Sequence, residues 1–289
     1  MAEKIFIAGC GYIGRRVAGI WEKKGASLAC LVRAPENCLQ LNAEGISTVA
    51  CTLDSVPTLP IEQISNSICY YFVPPPGGGT SDTRARNFCM ALDGALPPKK
   101  IIYISATSVY SETSGGVVNE ESPAEPASAM GKRRMDAEKV FLEYGAANKV
   151  PVVILRVSGI YGPGRLPLMQ IRHGQPLLNE AESGPSNRIH ADDLSEICIA
   201  AAVKGEGGDI FNISDGHPTS MTNYFNLVAD AIGEPRQPQV SLAQAGQTMS
   251  PLMLSYVSES KVIDSSRMLE KLEIKLRFPD MQQGIKASV

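Results

Sequence analysis

The first fourteen residues constrain this chain more than any other stretch. An apolar run, Ile5 to Ala8, leads directly into Gly9-Cys-Gly11-Tyr-Ile-Gly14. Helical periodicity follows from Tyr12 to about Lys24. A strand, a glycine turn and a helix in that order form a βα unit built to hold a dinucleotide. The first glycine permits the tight turn, the second lets the backbone approach a pyrophosphate, and the third lets helix and strand pack closely. The phosphates would rest on unpaired N–H groups at the positive end of the helix. Gly9, Gly11, Tyr12, Ile13 and Gly14 are therefore the first candidate cofactor-binding residues.

Strand-like and helix-like segments alternate after this unit. Short runs rich in Ile, Val, Leu, Tyr or Cys predict strands near 4–8, 27–32, 46–51, 68–73, 100–105 and 151–156. Helices are expected near 12–24, 35–43, 82–94 and 128–147. Repeated β-α-β units with right-handed crossovers give a doubly wound parallel sheet, a Rossmann-type α/β fold. The regularity breaks at 158–186, a Gly- and Pro-rich passage with one short helix near 166–173. It returns in Arg188-Ile-His, a helix near 192–203 and a strand at 209–213, before a helix near 220–232 and a Gln- and Pro-rich stretch to about 251. The expected division is a dinucleotide-binding domain of 1–157 plus 187–213. A small C-terminal substrate lobe of 158–186 plus 214–289 would close over the strand ends.

The second strand bears on cofactor choice. An NAD site usually carries Asp or Glu at its C-terminus to accept from the ribose 2′-OH. Here Leu28–Arg33 ends in arginine and contains no acid. A guanidinium can grip a 2′-phosphate in bidentate fashion, so NADP is favoured, with NAD the alternative. Pro74-Pro-Pro-Gly-Gly-Gly79, after the fourth strand, is expected to line the nicotinamide side.

Bulk properties exclude several classes. With 44% hydrophobic and 20% charged residues, the chain reads as soluble and globular. A net charge of −3 offers no footprint for nucleic acid. No apolar run is long enough to span a bilayer, and no signal peptide precedes the first strand. Seven cysteines without a C-x-x-C pair suit a reducing, cytoplasmic setting. His173, His190 and His217 are too far apart for a local metal motif.

From Ile101 onward the chain resembles the extended short-chain dehydrogenase/reductase family, the NAD-dependent epimerase/dehydratase group. The resemblance rests on Tyr103-Ile-Ser-Ala-Thr-Ser-Val-Tyr110, Glu121-Ser-Pro…Pro126, Leu155-Arg-Val-Ser-Gly-Ile-Tyr-Gly-Pro-Gly164, Arg188-Ile-His-Ala-Asp-Asp193 and Phe211-Asn-Ile-Ser-Asp-Gly216. It implies a small-molecule substrate, a nucleotide sugar or another carbonyl compound, in a monomer or homodimer.

The resemblance also implies chemistry that these residues do not supply. The family uses a Ser or Thr, a Tyr, and a Lys four residues after the Tyr, the Tyr acting as general acid/base. Those positions fall on Ala106, Met130 and Arg134. Alanine has no hydroxyl and methionine no titratable proton, although Arg134 could still reach ribose hydroxyls one helical turn away. Ser105, Thr107 and Ser108 could provide a hydroxyl after a small register change. An atypical branch of the family carries Asp where the usual active-site Asn stands, and Asp82 is the counterpart here. Tyr110, Tyr161 and His190 are the other candidate acid/base groups. Arg156 and Arg165 either bind an anionic substrate group or pair with acids. Two readings follow: an enzyme with a rearranged acid/base set, or a catalytically silent NADP-binding sensor or regulator.

Overall fold

The computed structural model describes residues 2–250, 253–254 and 260–289. Part of the expected C-terminal lobe, 251–252 and 255–259, together with the end of the Gln- and Pro-rich stretch, lies outside the described residues. Strands β1 (Lys4–Ala8), β2 (Ser27–Val32), β3 (Ser47–Ala50), β4 (Ile68–Tyr71) and β5 (Lys100–Ala106) alternate with helices. These are α1 (Tyr12–Lys23), α2 (Pro35–Ala43), α3 (Ile61–Ile64) and α4 (Thr83–Leu92). Next come β6 (Ser114–Val118), α5 (Ala129–Asn148), β7 (Val152–Val157), β8 (Gly159–Tyr161) and α6 (Leu168–Arg172). They are followed by β9 (Leu177–Leu178), β10 (Pro185–Ser186), β11 (Arg188–His190), α7 (Ala191–Lys204) and β12 (Ile210–Ile213).

Seven strands form one parallel sheet in the order β12-β7-β5-β4-β1-β2-β3. The expected doubly wound sheet is present. Its order reverses at β1, which pairs with β2 on one side and β4 on the other. In such sheets the ligand crevice opens at that switch point, outside the strand C-termini. The glycine turn leaves β1 at this place.

Alternation along β1 fills both faces. Ile5 and Ile7 join Val17, Trp21, Cys198 and Phe211 under α1 and α7. Phe6 and Ala8 join Tyr71, Phe88, Tyr103 and Phe141 under α4 and α5. Each fully buried Ile or Phe contributes roughly 1.5–3 kcal/mol relative to exposure. The Trp21 indole N–H donates to the Tyr70 hydroxyl at 2.8 Å, satisfying the polar atoms of two buried rings on α1 and β4.

A separate apolar cluster sits beyond the sheet edge. Helix α8 (Met221–Ile232) supplies Tyr224, Phe225 and Val228, and packs with Tyr161, Leu177 and Ile285. The Gln- and Pro-rich stretch before 251 holds a further helix, α9 (Leu242–Thr248), started by a capping box between Ser241 and Gln244. Short strand β6 pairs in parallel with residues Ser260–Ile263, a link between segments far apart in sequence.

Candidate functional site

The glycine turn divides its three glycines between two tasks. Gly9 has φ +92°, and a Cβ there would lie 2.8 Å from the Val73 amide nitrogen. A Cβ on Gly14 would lie 2.8 Å from the Gly9 carbonyl oxygen and 3.3 Å from Ile7 Cγ2. These two glycines serve the close packing of α1 on β1 and β4. Gly11 differs, because a Cβ there would meet nothing within 4 Å. The space over Gly11 is open to an approaching group. Helix α1 has no side-chain cap and no acid in its first turn. Its first N–H groups, at Tyr12, Ile13 and Gly14, therefore present positive partial charge to the crevice.

A cavity of about 260 Å³ adjoins this turn. Gly9, Leu31 and Arg33 border it from β1 and β2, and Pro74 and Val73 from the end of β4. Arg33 is exposed and forms no hydrogen bond or ion pair among the described residues. Residues not anticipated from sequence complete the lining: Cys51, Thr52 and Leu53 after β3, and Arg84 on the first turn of α4. The available signal was positional. All follow C-termini of neighbouring parallel strands, the edge where such crevices form.

Tyr12 joins this turn to the far side of the crevice. Its hydroxyl donates to the Pro163 carbonyl at 2.9 Å. The guanidiniums of Arg16 and Arg165 lie 4.0 Å and 5.3 Å from its ring centre. Arg165 thus stands beside Tyr12 and forms no ion pair among the described residues.

The segment where the family's proton relay would stand is built differently. Strand β5 ends at Ala106 in a short 3-10 turn, Thr107–Val109. The start of α5 is pressed against that turn, since a Cβ on Gly131 would lie 2.3 Å from the Ser108 carbonyl oxygen. Met130 is 40% exposed beside it. Arg134 reaches back to β5, donating from Nη1 to the Ile104 carbonyl at 2.9 Å and to the Tyr103 hydroxyl at 3.5 Å. The positions 106, 130 and 134 therefore gather around one strand end without a hydroxyl or a phenol among them.

The neighbouring polar groups are bonded to one another. Ser105 Oγ donates to Glu138 Oε1 at 2.5 Å. Arg156 forms a buried ion pair with Glu138, Nη2 to Oε2 2.8 Å, so of its two expected roles it takes the pairing one. Arg156 Nη1 also donates to the Tyr110 hydroxyl at 3.1 Å, which donates in turn to Asn212 Oδ1 at 2.6 Å. Burial raises the Tyr110 phenol above its ordinary value, Arg156 and Asn212 only partly opposing this. Tyr110 does not face the crevice; the 3-10 turn directs it inward toward β7 and β12.

His190 is buried as well and caps α7. Its Nδ1 accepts from the Asp192 N–H at 3.1 Å, which leaves Nε2 to donate to Ser288 Oγ at 3.2 Å. That is a neutral imidazole, and burial holds its pKa below the usual value. Tyr161 is fully buried against His190, with ring centres 5.2 Å apart.

Asp82 and Tyr161 differ from Tyr110 and His190, because each keeps a buried oxygen without a hydrogen-bond partner among the described residues, Tyr161 at its hydroxyl. Asp82 lies at the start of α4. It is fully buried and caps α4, with Oδ1 accepting from the Ala85 N–H at 3.0 Å. Its Oδ2 has no hydrogen-bond partner. Burial raises its pKa, against the Ala85 hydrogen bond and the Arg134 charge. Of Asp82, Tyr110 and His190, only Asp82 thus keeps an oxygen without a hydrogen-bond partner among the described residues.

Comparison with known proteins fits this arrangement. Residues 85–214 match the NAD dependent epimerase/dehydratase family. Over that segment the chain is similar to the members of that family. It is 30% identical over 144 residues to dTDP-D-glucose 4,6-dehydratase of Mus musculus, a stretch covering 47% of this chain and 41% of that protein. It is 28% identical over 193 residues to protein YeeZ of Escherichia coli K12, covering 65% of this chain and 63% of that one. The chain thus spans less than two thirds of the curated relatives it matches.

Among solved structures, a functionally unknown conserved protein from Silicibacter pomeroyi superposes with a TM-score of 0.83 at 25% identity, over 98% of this chain and 96% of that one. UDP-glucuronic acid 4-epimerase from Bacillus cereus, in complex with NAD, gives 0.76 at 18% identity, over 98% and 96%. The second likeness is one of fold. Among the described residues no helix is long and apolar enough to cross a membrane.

Proposed function

We propose that this protein binds NADP(H) along the glycine turn and acts on a nucleotide sugar or related carbonyl compound, with Asp82 in place of the family's tyrosine as the proton-holding group. The observation that carries the reading is the cavity shared by Gly9 and Arg33, which sets a guanidinium with no carboxylate partner where the adenosine ribose would lie. The open space over Gly11 and the uncapped first turn of α1 fit a pyrophosphate. Bound nicotinamide would supply the hydride chemistry. Arg134 would hold ribose hydroxyls, Pro74 would border the ring side, and residues 1–157 plus 187–213 would form the cofactor domain. Residues 158–186 plus 214–289 would form the substrate lobe, with Arg165 at its mouth. The relatives named for sugar-nucleotide reactions support the substrate class.

A second reading has its own support. Tyr110, His190 and Ser105 are all committed to buried hydrogen bonds, and Asp82 is out of solvent's reach. A protein that holds NADPH as a sensor or regulator, without turning it over, would show this pattern.

Titration calorimetry with NADPH and NADH separates the parts. Arg33→Ala is expected to weaken NADPH by roughly tenfold or more, the scale of one charge-assisted hydrogen bond, and to leave NADH nearly unchanged. Equal loss of both overturns the NADP assignment. NADPH oxidation across sugar-nucleotide and carbonyl substrates, abolished by Asp82→Asn, supports the enzyme; tight binding with no turnover supports the sensor. Met130→Tyr combined with Arg134→Lys is expected to raise turnover in the enzyme.

A further inference from the structure

The cavity beside the glycine turn contains a second guanidinium that the arginine at the end of β2 does not explain. Arg84 is the second residue of α4, whose N-cap is Asp82. A cation in the first turn of a helix opposes the macrodipole, so its placement is not one that helix stability favours. The side chain is nevertheless held firmly. Its Nε donates to Asp54 Oδ1 at 2.6 Å, and its Nη1 to the Pro74 carbonyl at 3.2 Å. Its side chain is only 17% exposed, whereas that of Asp54 is 58% exposed. These two bonds fix the plane of the guanidinium at the cavity wall and leave Nη2 without a partner among the described residues.

Asp54 stands near both arginines. Its carboxyl is held below the ordinary range first by the Arg84 hydrogen bond, then by Thr52, with Arg33 adding a smaller pull. The cavity mouth thus combines two guanidiniums and one carboxylate. Unpaired, that carboxylate would repel a phosphate monoester and would accept from a ribose hydroxyl. Pairing with Arg84 offsets that charge, and the net charge of the mouth remains positive.

We propose that Arg84, locked by Asp54 and the Pro74 carbonyl, is the second specificity-determining residue for the cofactor, neutralising Asp54 and joining Arg33 in gripping the 2′-phosphate. This rests on the NADP reading above. Arg84 then works in two ways. It adds a charge-assisted donor to the phosphate, and it masks the one acid that would favour a free 2′-hydroxyl.

The test is a binding cycle on the intact chain, read by calorimetry with NADPH, NADH and 2′,5′-ADP, without any need for turnover. Wild type is expected to prefer NADPH; no preference defeats the NADP reading itself and this inference with it. Arg84→Ala is expected to lower NADPH and 2′,5′-ADP affinity by roughly tenfold or more, while NADH binds as well as before or better. Adding Asp54→Asn to Arg84→Ala is expected to recover part of the lost NADPH affinity, because the unmasked repulsion disappears. A wild type that prefers NADPH, with an Arg84→Ala variant that keeps the same ratio of NADPH to NADH affinity, overturns this inference alone. Melting curves of each variant check that the fold is retained, and Arg84→Lys, which keeps the charge without the fork, is expected to fall between wild type and alanine.

Discussion

Two strand ends of one sheet, those of β1 and β5, handle their polar groups in opposite ways. At the ends of β1 and β2 donors stand without partners among the described residues, the first N–H groups of α1 and the guanidinium of Arg33, beside the open face of Gly11. At β5 the polar groups are closed on one another, Ser105 to Glu138 to Arg156 to Tyr110 to Asn212. Buried groups must be satisfied by something, protein or ligand. The first region is arranged for a ligand to do it; the second has done it internally. One sheet therefore carries an open strand end and a self-satisfied one side by side.

The largest expected effect breaks the closed region. Glu138→Leu leaves Arg156 buried and unpaired, and is expected to cost about 3–5 kcal/mol in chemical denaturation. Adding Arg156→Met should recover much of that loss. If Glu138→Leu instead costs little, the network is wetter than its burial indicates, and Tyr110 becomes available for chemistry.

A smaller effect separates the two duties within the open region. Gly14→Ala places a Cβ against the Gly9 carbonyl, and is expected to cost about 1–3 kcal/mol of stability as an overpacked contact. Gly11→Ala has room, and should change stability by no more than about 1 kcal/mol while abolishing most NADPH affinity. Stability and affinity falling together at Gly11 would remove the distinction.

The smallest effect concerns Asp82, which stands between the two regions. Its folded pKa lies above the unfolded 3.8, so the native state holds its proton more tightly than the unfolded chain does. Its contribution is greatest at acid pH and is lost as pH rises through the folded pKa. Asp82→Asn keeps the cap acceptor and removes the buried charge. Melting temperature should rise at neutral and alkaline pH, and the gain should shrink toward pH 4. A gain independent of pH would mean that Asp82 is not strained by burial.

The layout of the sheet was legible because its signals are local. Short apolar runs and intervening helical periodicity placed β1, β2 and α2 at their observed limits and most other elements within two residues. The pairing of β6 with Ser260–Ile263 was not legible, since Ser114-Gly-Gly-Val-Val carries little strand signal and its partner is distant in the chain. At the site, the glycine turn and Arg33 could be read from spacing alone. The direction of Tyr110 could not, because the 3-10 turn after β5 decides which way a residue just past the strand points. Arg84 escaped notice for a related reason: nothing in its neighbours marks the cavity that β2 and β3 complete from elsewhere.

The hydroxyl of Tyr12 reaches the Pro163 carbonyl, and a Cβ on Gly162 would stand 2.8 Å from that same hydroxyl. The opening residue of the nucleotide-binding helix is therefore also the floor on which the opposite loop rests. The loop at 162–165 therefore takes part of its position from the first turn of α1, and a change at either one meets the other through a single phenol.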